Sequence, residues 1–456
     1  MTTFDEQDAG IALPADPAYV AATQVFNLAA PVSPAAAVTA RTVEQIRAAI
    51  TYAKSAGLKV RVQTTGHSAG SAKPMDDAIL VRTELDGEVY VDTERRVARI
   101  PAGTQWKAVV EATAPHRLTA PHGSAGTVGV VGYLLRGGIS FYGREHGLAV
   151  NSVRAIELVT ADGELRRVDA DNDPELFWAL RGGGGGFGVV TAIEVDLFAT
   201  TSVVTGTAFW PAVHAPKLLT LWEKWCEDAP TAVSTSFRLL NLPPFPDIPP
   251  ELTGGTMVCV DGVILGEDDV ALGYADDLLA PLRAVAEPVM DTWHATTTHA
   301  VLETHMDPDE PVPAQGDHFL ITELGEDGIA EFLRVLGEGS GSPLVMAGLR
   351  QLGGRMAVPD PTGGALTHFD AAYVYSGAGI PMDAEVAATI AEHLALARSA
   401  LSPWDTGRTA PTFVESADQP QGHLSAADIE RVDAVRSRVD PRGLFRGDVM
   451  TSTSAL

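Results

Sequence analysis

The spacing of apolar residues predicts alternating helices and strands in the N-terminal part of the chain. Apolar side chains recur at helical spacing over residues 43–53, and Thr42 and Gln45 have the spacing of a capping box. Gly57 is expected to end this helix. Residues 58–62 then alternate apolar and polar side chains, as a half-buried strand does. This strand leads directly into a loop of small residues.

The same criteria predict further short elements in this part of the chain. They are strands over 97–100 and 189–198, helices over 105–112 and 173–180, and a hairpin over 155–168 around Asp162 and Gly163. Short strands joined by turns indicate that the strands form antiparallel units. We therefore predict an α+β fold, with a mixed α/β fold as the alternative.

The pattern changes after about residue 200. Residues 241–250 (NLPPFPDIPP) are too rich in proline for a central strand and predict a stiff loop. Helical segments are expected on both sides of this loop. A last helix is predicted over 425–440, with Ser425 as its N-cap.

Charge and composition exclude several classes of function. The chain has 456 residues, of which 45% are hydrophobic and 20% charged, as in an ordinary globular enzyme. Its 59 acidic and 32 basic residues leave a net charge of −27. Because nucleic acids and anionic membranes need basic patches, we expect neither as a partner.

The chain shows no targeting or membrane-spanning pattern. The N-terminus lacks the basic, apolar and small-residue regions of a signal peptide, and no apolar run approaches a membrane span. Cys226 and Cys259 are the only cysteines and could form one disulfide at most. We therefore expect a cytoplasmic protein.

The glycine run at 181–188 (RGGGGGFG) is not a nucleotide-binding fingerprint. It lacks the Lys-Ser/Thr of a P-loop, and it follows a predicted helix rather than a strand, unlike a Rossmann motif. The run predicts only tight turns and close backbone approach. A dinucleotide would therefore have to bind in another way.

Five ordered segments resemble the FAD-linked oxidases of the vanillyl-alcohol oxidase and berberine bridge enzyme-like group. The segments are 60–70 (VRVQTTGHSAG), 121–153, 173–198, 365–375 (ALTHFDAAYVY) and 436–446 (RSRVDPRGLFR). The resemblance implies a two-domain fold with a PCMH-type FAD-binding domain. That domain would comprise residues 1–205 and a C-terminal return over 406–456. Residues 206–405 would form a substrate domain, an antiparallel sheet backed by helices whose open face covers the flavin.

The resemblance also implies which residues contact FAD. The first segment would hold the pyrophosphate, because small residues let successive backbone N–H groups converge on an anion. The second segment would lie against the flavin ring. The implied contacts are Gln63, Thr64, Thr65, Gly66 and Ser68 in the first segment, and Gly123, Ser124, Thr127, Val128, Gly129, Gly132, Tyr133, Gly138 and Val153 in the second.

Relatives of this kind carry FAD covalently through the histidine that corresponds to His67. The alternative is that His67 only caps or hydrogen-bonds within its loop. Ala125 stands where many members have a second, cysteinyl link, so one link is expected. The chain departs from the family pattern at Arg136, which could place positive charge near the flavin, and at 409–415, where a Tyr-x-Asn motif is missing.

The implied reaction is hydride transfer from a small organic or natural-product substrate to flavin N5, with O₂ as the final acceptor. Tyr373 and Tyr375 alternate on one strand and therefore face the same side, which makes either a candidate base. Packing of both rings within a sheet is the alternative. The other candidates are His368, Tyr142, His146 and Glu415.

Three hypotheses remain open from the sequence. The first is an oxidase with covalent FAD, the second a dehydrogenase of the same fold with another acceptor, and the third a flavin-free binding protein. Flavin absorbance would separate the third from the others, and peroxide formation in air would separate the first two. The substrate and the oligomeric state do not follow from the sequence.

Overall fold

The computed structural model describes residues 10–200, 202–246 and 248–447. The chain begins with a small parallel sheet. Its elements are α1 (Pro17–Ala22), β1 (Ala36–Ala40), α2 (Val43–Ala56), β2 (Lys59–Gln63) and β3 (Ala78–Thr83), and the strand order is β1-β3-β2. The predicted capping box is present at Thr42 and Gln45, and Gly57 ends α2 in a left-handed conformation. Ile46 and Ile50 of α2 are buried against this sheet.

An antiparallel sheet follows in the order β4-β5-β9-β7-β8. The elements of this region are β4 (Tyr90–Asp92), β5 (Val97–Pro101), α3 (Trp106–Thr113), β6 (Leu118–Thr119), α4 (Val130–Leu135), α5 (Gly143–His146), β7 (Val153–Val159), β8 (Leu165–Asp169), α6 (Pro174–Leu180), β9 (Val189–Asp196) and β10 (Phe198–Ala199). The predicted hairpin is β7 with β8, and Val159 pairs with Leu165 across its turn. β6 and β10 pair separately.

The second half of the chain forms a large antiparallel sheet in the order β14-β11-β13-β12-β17-β18-β16, and β15 also pairs with β11. Its strands are β11 (Val203–Pro211), β12 (Val233–Leu240), β13 (Met257–Leu265), β14 (Met290–Asp291), β15 (His294–Thr296), β16 (Gln315–Ile321), β17 (Met346–Gln351) and β18 (Tyr373–Gly379). The helices are α7 (Ala215–Glu227), α8 (Asp268–Arg283), α9 (Gly325–Leu336), α10 (Ala384–Ala400) and α11 (Ala426–Val439).

The two faces of the large sheet have different partners. Phe237, Leu239, Phe319 and Tyr375 share an apolar core with helices α7 to α10. The alternate residues of the same strands face the N-terminal part of the chain. The sheet therefore separates an apolar core from a second, more polar surface.

The α+β fold is confirmed, but two local predictions were wrong. The first three strands are parallel, because helix α2 provides the crossover that parallel pairing needs. The proline-rich loop is flanked by strands β12 and β13, not by helices. Residues 365–372 contain no strand, and β18 begins only at Tyr373.

The C-terminal segment returns to the N-terminal half. Val60 and Phe445 form a β-bridge, and helix α11 packs against α6. The large sheet begins at Val203, close to the predicted boundary at residue 205, and the division into two domains stays a prediction. Residues 448–456 of the predicted return lie outside the described residues. Cys226 and Cys259 are both buried free thiols.

None of the helices in the described part of the chain combines the length and hydropathy that a membrane crossing requires.

Candidate active site

A cavity of about 1240 Å³ lies between the N-terminal half and the polar face of the large sheet. Its walls come from four parts of the chain: the loop after β2, the segment 123–139, the glycine run, and strands β12, β16, β17 and β18. Further lining residues come from 242–252, 305–314, 412–415 and 445–447. The cavity is therefore formed by segments that are far apart in the sequence.

His67 lies on the wall of this cavity. Its Nε2 is 3.1 Å from the Thr127 hydroxyl, and its ring stacks on Phe26 with centroids 3.8 Å apart. Burial lowers the pKa of His67 to about 4, so the imidazole is neutral at pH 7. The Thr127 hydroxyl contacts Nε2, so Nδ1 is the ring nitrogen that is left available as a nucleophile.

The loop around His67 presents unused backbone donors. Gly66 has a φ of +77°, and no acceptor within the described residues bonds to the backbone N–H groups of Gly66, His67 or Ser68. Successive N–H groups of this kind form an anion nest. The Thr64 hydroxyl, by contrast, is already 2.8 Å from the Thr83 hydroxyl.

Most of the predicted FAD contacts line the cavity. These are Gln63, Thr64, Thr65, Gly66, His67, Ser68, Gly123, Ser124, Val128, Gly129, Gly132 and Tyr133. Gly132 is open toward the cavity, since a Cβ there would meet no atom within 4 Å. These residues and the anion nest fit the predicted FAD, whose pyrophosphate needs backbone donors and whose ring needs a flat wall.

Three of the predicted contacts have other positions. Thr127 reaches the site only through its bond to His67. Gly138 packs against the Tyr133 ring, where a Cβ would lie 2.5 Å from a ring carbon. Val153 is 4% exposed and belongs to the apolar core. Gly138 and Val153 are not among the residues that line the cavity, and their contact with FAD stays a prediction.

The sheet contributes ordered rows of side chains to the cavity. Ser236 pairs with Arg350, and two residues further along β12 Arg238 pairs with Gly348. Leu240 pairs with Met346 at the end of β12. A Cβ at position 348 would lie 2.7 Å from Cγ of Arg238, so the glycine leaves room for the arginine stem.

Asp261 organises a buried polar cluster beside these rows. Its carboxylate forms an ion pair with Arg238 and accepts a hydrogen bond from Nδ1 of His305 at 3.0 Å. Arg238 also donates to the His305 carbonyl at 3.0 Å. The adjacent Arg238 and His305 hold the pKa of Asp261 at about 2, although burial opposes this shift.

His305 presents its second ring nitrogen to the cavity. Burial, with the Arg238 charge, lowers the pKa of His305, so the ring is neutral at pH 7. With its proton on Nδ1 toward Asp261, Nε2 carries a lone pair. No hydrogen bond within the described residues uses this Nε2. Nε2 of His305 can therefore accept a proton from a bound molecule.

Glu415 is a second titratable group on the cavity wall. It stands in the segment where the family's Tyr-x-Asn motif is missing. Burial raises the pKa of its carboxyl to about 7, and the charge of Arg136 opposes the rise. Arg136 also lines the cavity, so it is not merely a surface arginine.

The four proposed catalytic residues are not on the cavity wall. Tyr373 and Tyr375 do face the same side, but it is the helix-covered side, where Tyr373 packs on Trp222 and Tyr375 on Phe319. Burial raises the pKa of both hydroxyls further above 10. Val374 and Ser376 occupy the cavity side of the strand. The prediction that both rings face one side is confirmed, and of the two alternatives the structure shows packing within the core rather than a place on the cavity wall.

Tyr142 and His368 also lie away from the cavity wall. Tyr142 is fully buried and packs against His122 and Phe198 in a separate apolar cluster. His368 lies in the loop before β18 and bonds to the Thr367 hydroxyl at 2.9 Å. His146 stacks on Phe198 and is likewise remote from the cavity. Of the residues weighed as bases, Glu415 alone lines it.

Sequence reasoning missed Arg238, Asp261, His305 and Arg350. A signal was available in β12, where the polar residues Ser236 and Arg238 alternate with the apolar Phe237 and Leu239. Such alternation indicates a strand with one polar face. It does not reveal that residues from β13 and from the loop after β15 meet that face.

Residues 34–169 match the family model of the FAD binding domain. This part of the chain is a FAD-binding domain, and the resemblance to FAD-linked oxidases is confirmed.

The chain is 34% identical over 171 residues to the FAD-dependent monooxygenase prx3 of Penicillium roqueforti, covering 37% of this chain and 33% of that protein. It is 36% identical over 149 residues to (R)-6-hydroxynicotine oxidase of Paenarthrobacter nicotinovorans, covering 33% and 32%. These matches thus span about a third of each relative. The solved structure of Physcomitrella patens BBE-like 1 superposes with a TM-score of 0.82 over 98% of both chains, at 19% identity. That likeness establishes the fold.

Proposed function

We propose that the protein is a FAD-dependent oxidase of a small organic substrate. The observation that carries the proposal is that the His67 loop of the FAD-binding domain and His305, which bonds to the buried Asp261, line one cavity. A bound FAD supplies the two-electron acceptor. The protein's own residues must then hold the substrate and remove a proton.

His305 is the proton acceptor in this proposal. Nε2 of His305 would accept the proton of the substrate hydroxyl, amine or phenol, and a bound FAD would accept hydride from a substrate carbon. Asp261 holds the ring in the tautomer that accepts this proton and stabilises the resulting positive charge. O₂ would be the final acceptor, with hydrogen peroxide as the product.

We further propose that FAD is joined to His67 through Nδ1. The neutral imidazole, the Thr127 contact at Nε2 and the location on the cavity wall support this link. Nδ1 would hold the C8α carbon through a bond that replaces one hydrogen of the imidazole and one of the methyl group, a two-electron oxidation for which O₂ would be the oxidant. Ala125 leaves no thiol for a second link.

One experiment tests the cofactor and its link. Purified protein is precipitated with acid, and the pellet is analysed for flavin-bearing peptides. We expect yellow protein and one modified peptide that contains His67. The variant His67→Ala should release all its flavin in acid, whereas the control His116→Ala, on an exposed helix end, should retain it. Complete release from the unmodified protein would contradict the link.

The final electron acceptor of the reaction is tested with the same preparation. A library of alcohols, amines and phenols is screened for anaerobic loss of flavin absorbance, and air is then admitted. We expect rapid reoxidation with formation of hydrogen peroxide. Reduced flavin that persists in air but reacts with dyes would identify a dehydrogenase. Protein purified without flavin, and unable to bind added FAD, would support a binding protein instead.

A further inference from the structure

Arg350 is a buried cation on the cavity wall that lacks an acidic partner. The residue is 8% exposed, and its guanidinium lies 4.4 Å from the Phe141 ring centroid and 6.0 Å from that of Phe413. Among the residues that the structure describes, no acidic side chain forms an ion pair or hydrogen bond with it. Aromatic faces stabilise a cation less well than a carboxylate does.

The nearest acids are engaged elsewhere. Asp261 is shared by Arg238 and His305. Asp307 accepts a hydrogen bond from the Ser124 hydroxyl at 2.5 Å. Both carboxylates act on Arg350 only through space. Burying a cation without a partner is costly, so a ligand anion in the cavity would relieve this cost.

The rest of the cavity indicates what the anion is attached to. Arg350 lies opposite Ser236, whereas Leu240 and Met346 pair at the end of β12 that leads into the proline-rich loop. This loop continues the apolar surface. Its cavity-lining residues are Leu242, Pro243, Phe245, Ile248, Pro249 and Leu252. A ligand that extends along these strands would have a charged end at Arg350 and an apolar end at the loop.

We propose that the substrate is a carboxylic acid with an apolar body, and that Arg350 binds its carboxylate. The planar guanidinium offers two parallel N–H donors to a carboxylate. The apolar body lies against Leu240, Met346 and the proline-rich loop. This inference rests on the proposed function, since it names the substrate class of the same cavity.

Calorimetry on the oxidised holoenzyme tests the proposal without turnover. The probes are ω-phenylalkanoic acids from phenylacetate to 8-phenyloctanoate, each compared with its own carboxamide. We expect the best acid to bind about 10- to 100-fold more tightly than its amide, as for a charge-assisted hydrogen bond. If no acid in the series binds more tightly than its amide, the proposal is overturned. This measurement requires no variant.

Variants assign the preference to Arg350. The acid-to-amide ratio, the affinity for an acid divided by the affinity for its amide, should fall to about one in Arg350→Gln. In Arg350→Lys part of this preference should remain, because the charge is kept. The control Arg355→Gln removes an exposed arginine outside the cavity and should leave the ratio unchanged. An unchanged ratio in Arg350→Gln would refute the assignment.

Two further readouts separate this inference from the proposed function. If Arg350→Gln shifts the flavin reduction potential and leaves the acid-to-amide ratio intact, then Arg350 serves the cofactor and the inference is wrong. Absence of flavin absorbance in the purified protein would overturn the proposed function. The ratio of the affinities for acid and amide, measured by calorimetry on the flavin-free protein, would still test the role of Arg350.

Discussion

At the scale of single residues, the cavity places ionisable groups in environments that move their pKa values apart. Burial makes His67 and His305 neutral at pH 7, and the adjacent Arg238 charge keeps Asp261 ionised. Burial raises the pKa of Glu415 to about 7. Two bases with different pKa values can be distinguished by the pH dependence of the reaction.

If His305 accepts the proton, flavin reduction should be independent of pH above neutrality. The rate should fall only as the pH drops through the lowered pKa of His305, below 6.5. His305→Gln should slow anaerobic flavin reduction by about 10²–10⁴-fold. Asp261→Asn should slow it by roughly 10–100-fold through misorientation of the ring.

Glu415→Gln provides the comparison for this prediction. Stopped-flow measurements on all three variants should show that Glu415→Gln retains most of the rate. A rate that instead declines through about pH 7, together with a slow Glu415→Gln and a normal His305→Gln, would transfer the role to Glu415. Acid-stable flavin in each variant would show that the cofactor is intact.

At the scale of elements, strand β18 serves two functions on its two faces. Tyr375 is fully buried and packs on Phe319 and Phe332 in the helix-side core. Ser376, the next residue, lines the cavity and pairs with Gly348 of β17. Adjacent positions of one strand should therefore respond differently to substitution.

Tyr375→Ala should destabilise the fold by about 3–5 kcal/mol, because it removes a large buried ring. Tyr375→Phe should leave the rate of flavin reduction unchanged, since the hydroxyl is remote from the cavity. Ser376→Val should change substrate affinity with little loss of stability. Thermal unfolding measures the stability of each variant, and anaerobic reduction with substrate measures its rate of flavin reduction and its substrate affinity. A slow Tyr375→Phe enzyme of normal stability would restore the tyrosine as a catalytic candidate.

At the scale of the whole molecule, the cavity depends on contacts between distant parts of the chain. Asn27 is 4% exposed and joins the N-terminal segment to the loop after residue 305. Its amide donates to the Ala314 carbonyl at 2.9 Å, and its oxygen accepts from the Ala314 N–H at 3.0 Å. This pair of bonds fixes one wall of the cavity.

Asn27→Asp should weaken that wall, because a carboxylate would face the Ala314 carbonyl without a donor. We expect a loss of about 1–3 kcal/mol in stability and weaker substrate binding. Gln24→Glu adds the same charge to the same segment at a side chain without a hydrogen bond among the described residues, so it serves as the control. Equal melting temperatures for Asn27→Asp and the unmodified protein would contradict this role.

The sequence by itself determined the features that depend on local chemistry. The capping box at Thr42, the turn at Asp162–Gly163 and the small-residue loop around His67 were all predictable, because short-range sterics and hydrogen bonds decide them. The segments that resemble FAD-linked oxidases also identified the FAD-binding domain. The alternation along β18 correctly placed Tyr373 and Tyr375 on one face.

Only the tertiary structure decided which face of β18 is the cavity. A period of two separates two sets of side chains but does not say which set meets helices and which meets another domain. The charged cluster depended on the fold even more strongly. Arg238, Asp261, His305 and Arg350 come from three strands and a loop, and the pairing of β12 with β13 and β17 brings them together. Their pKa values arise from that shared burial, which no local pattern contains.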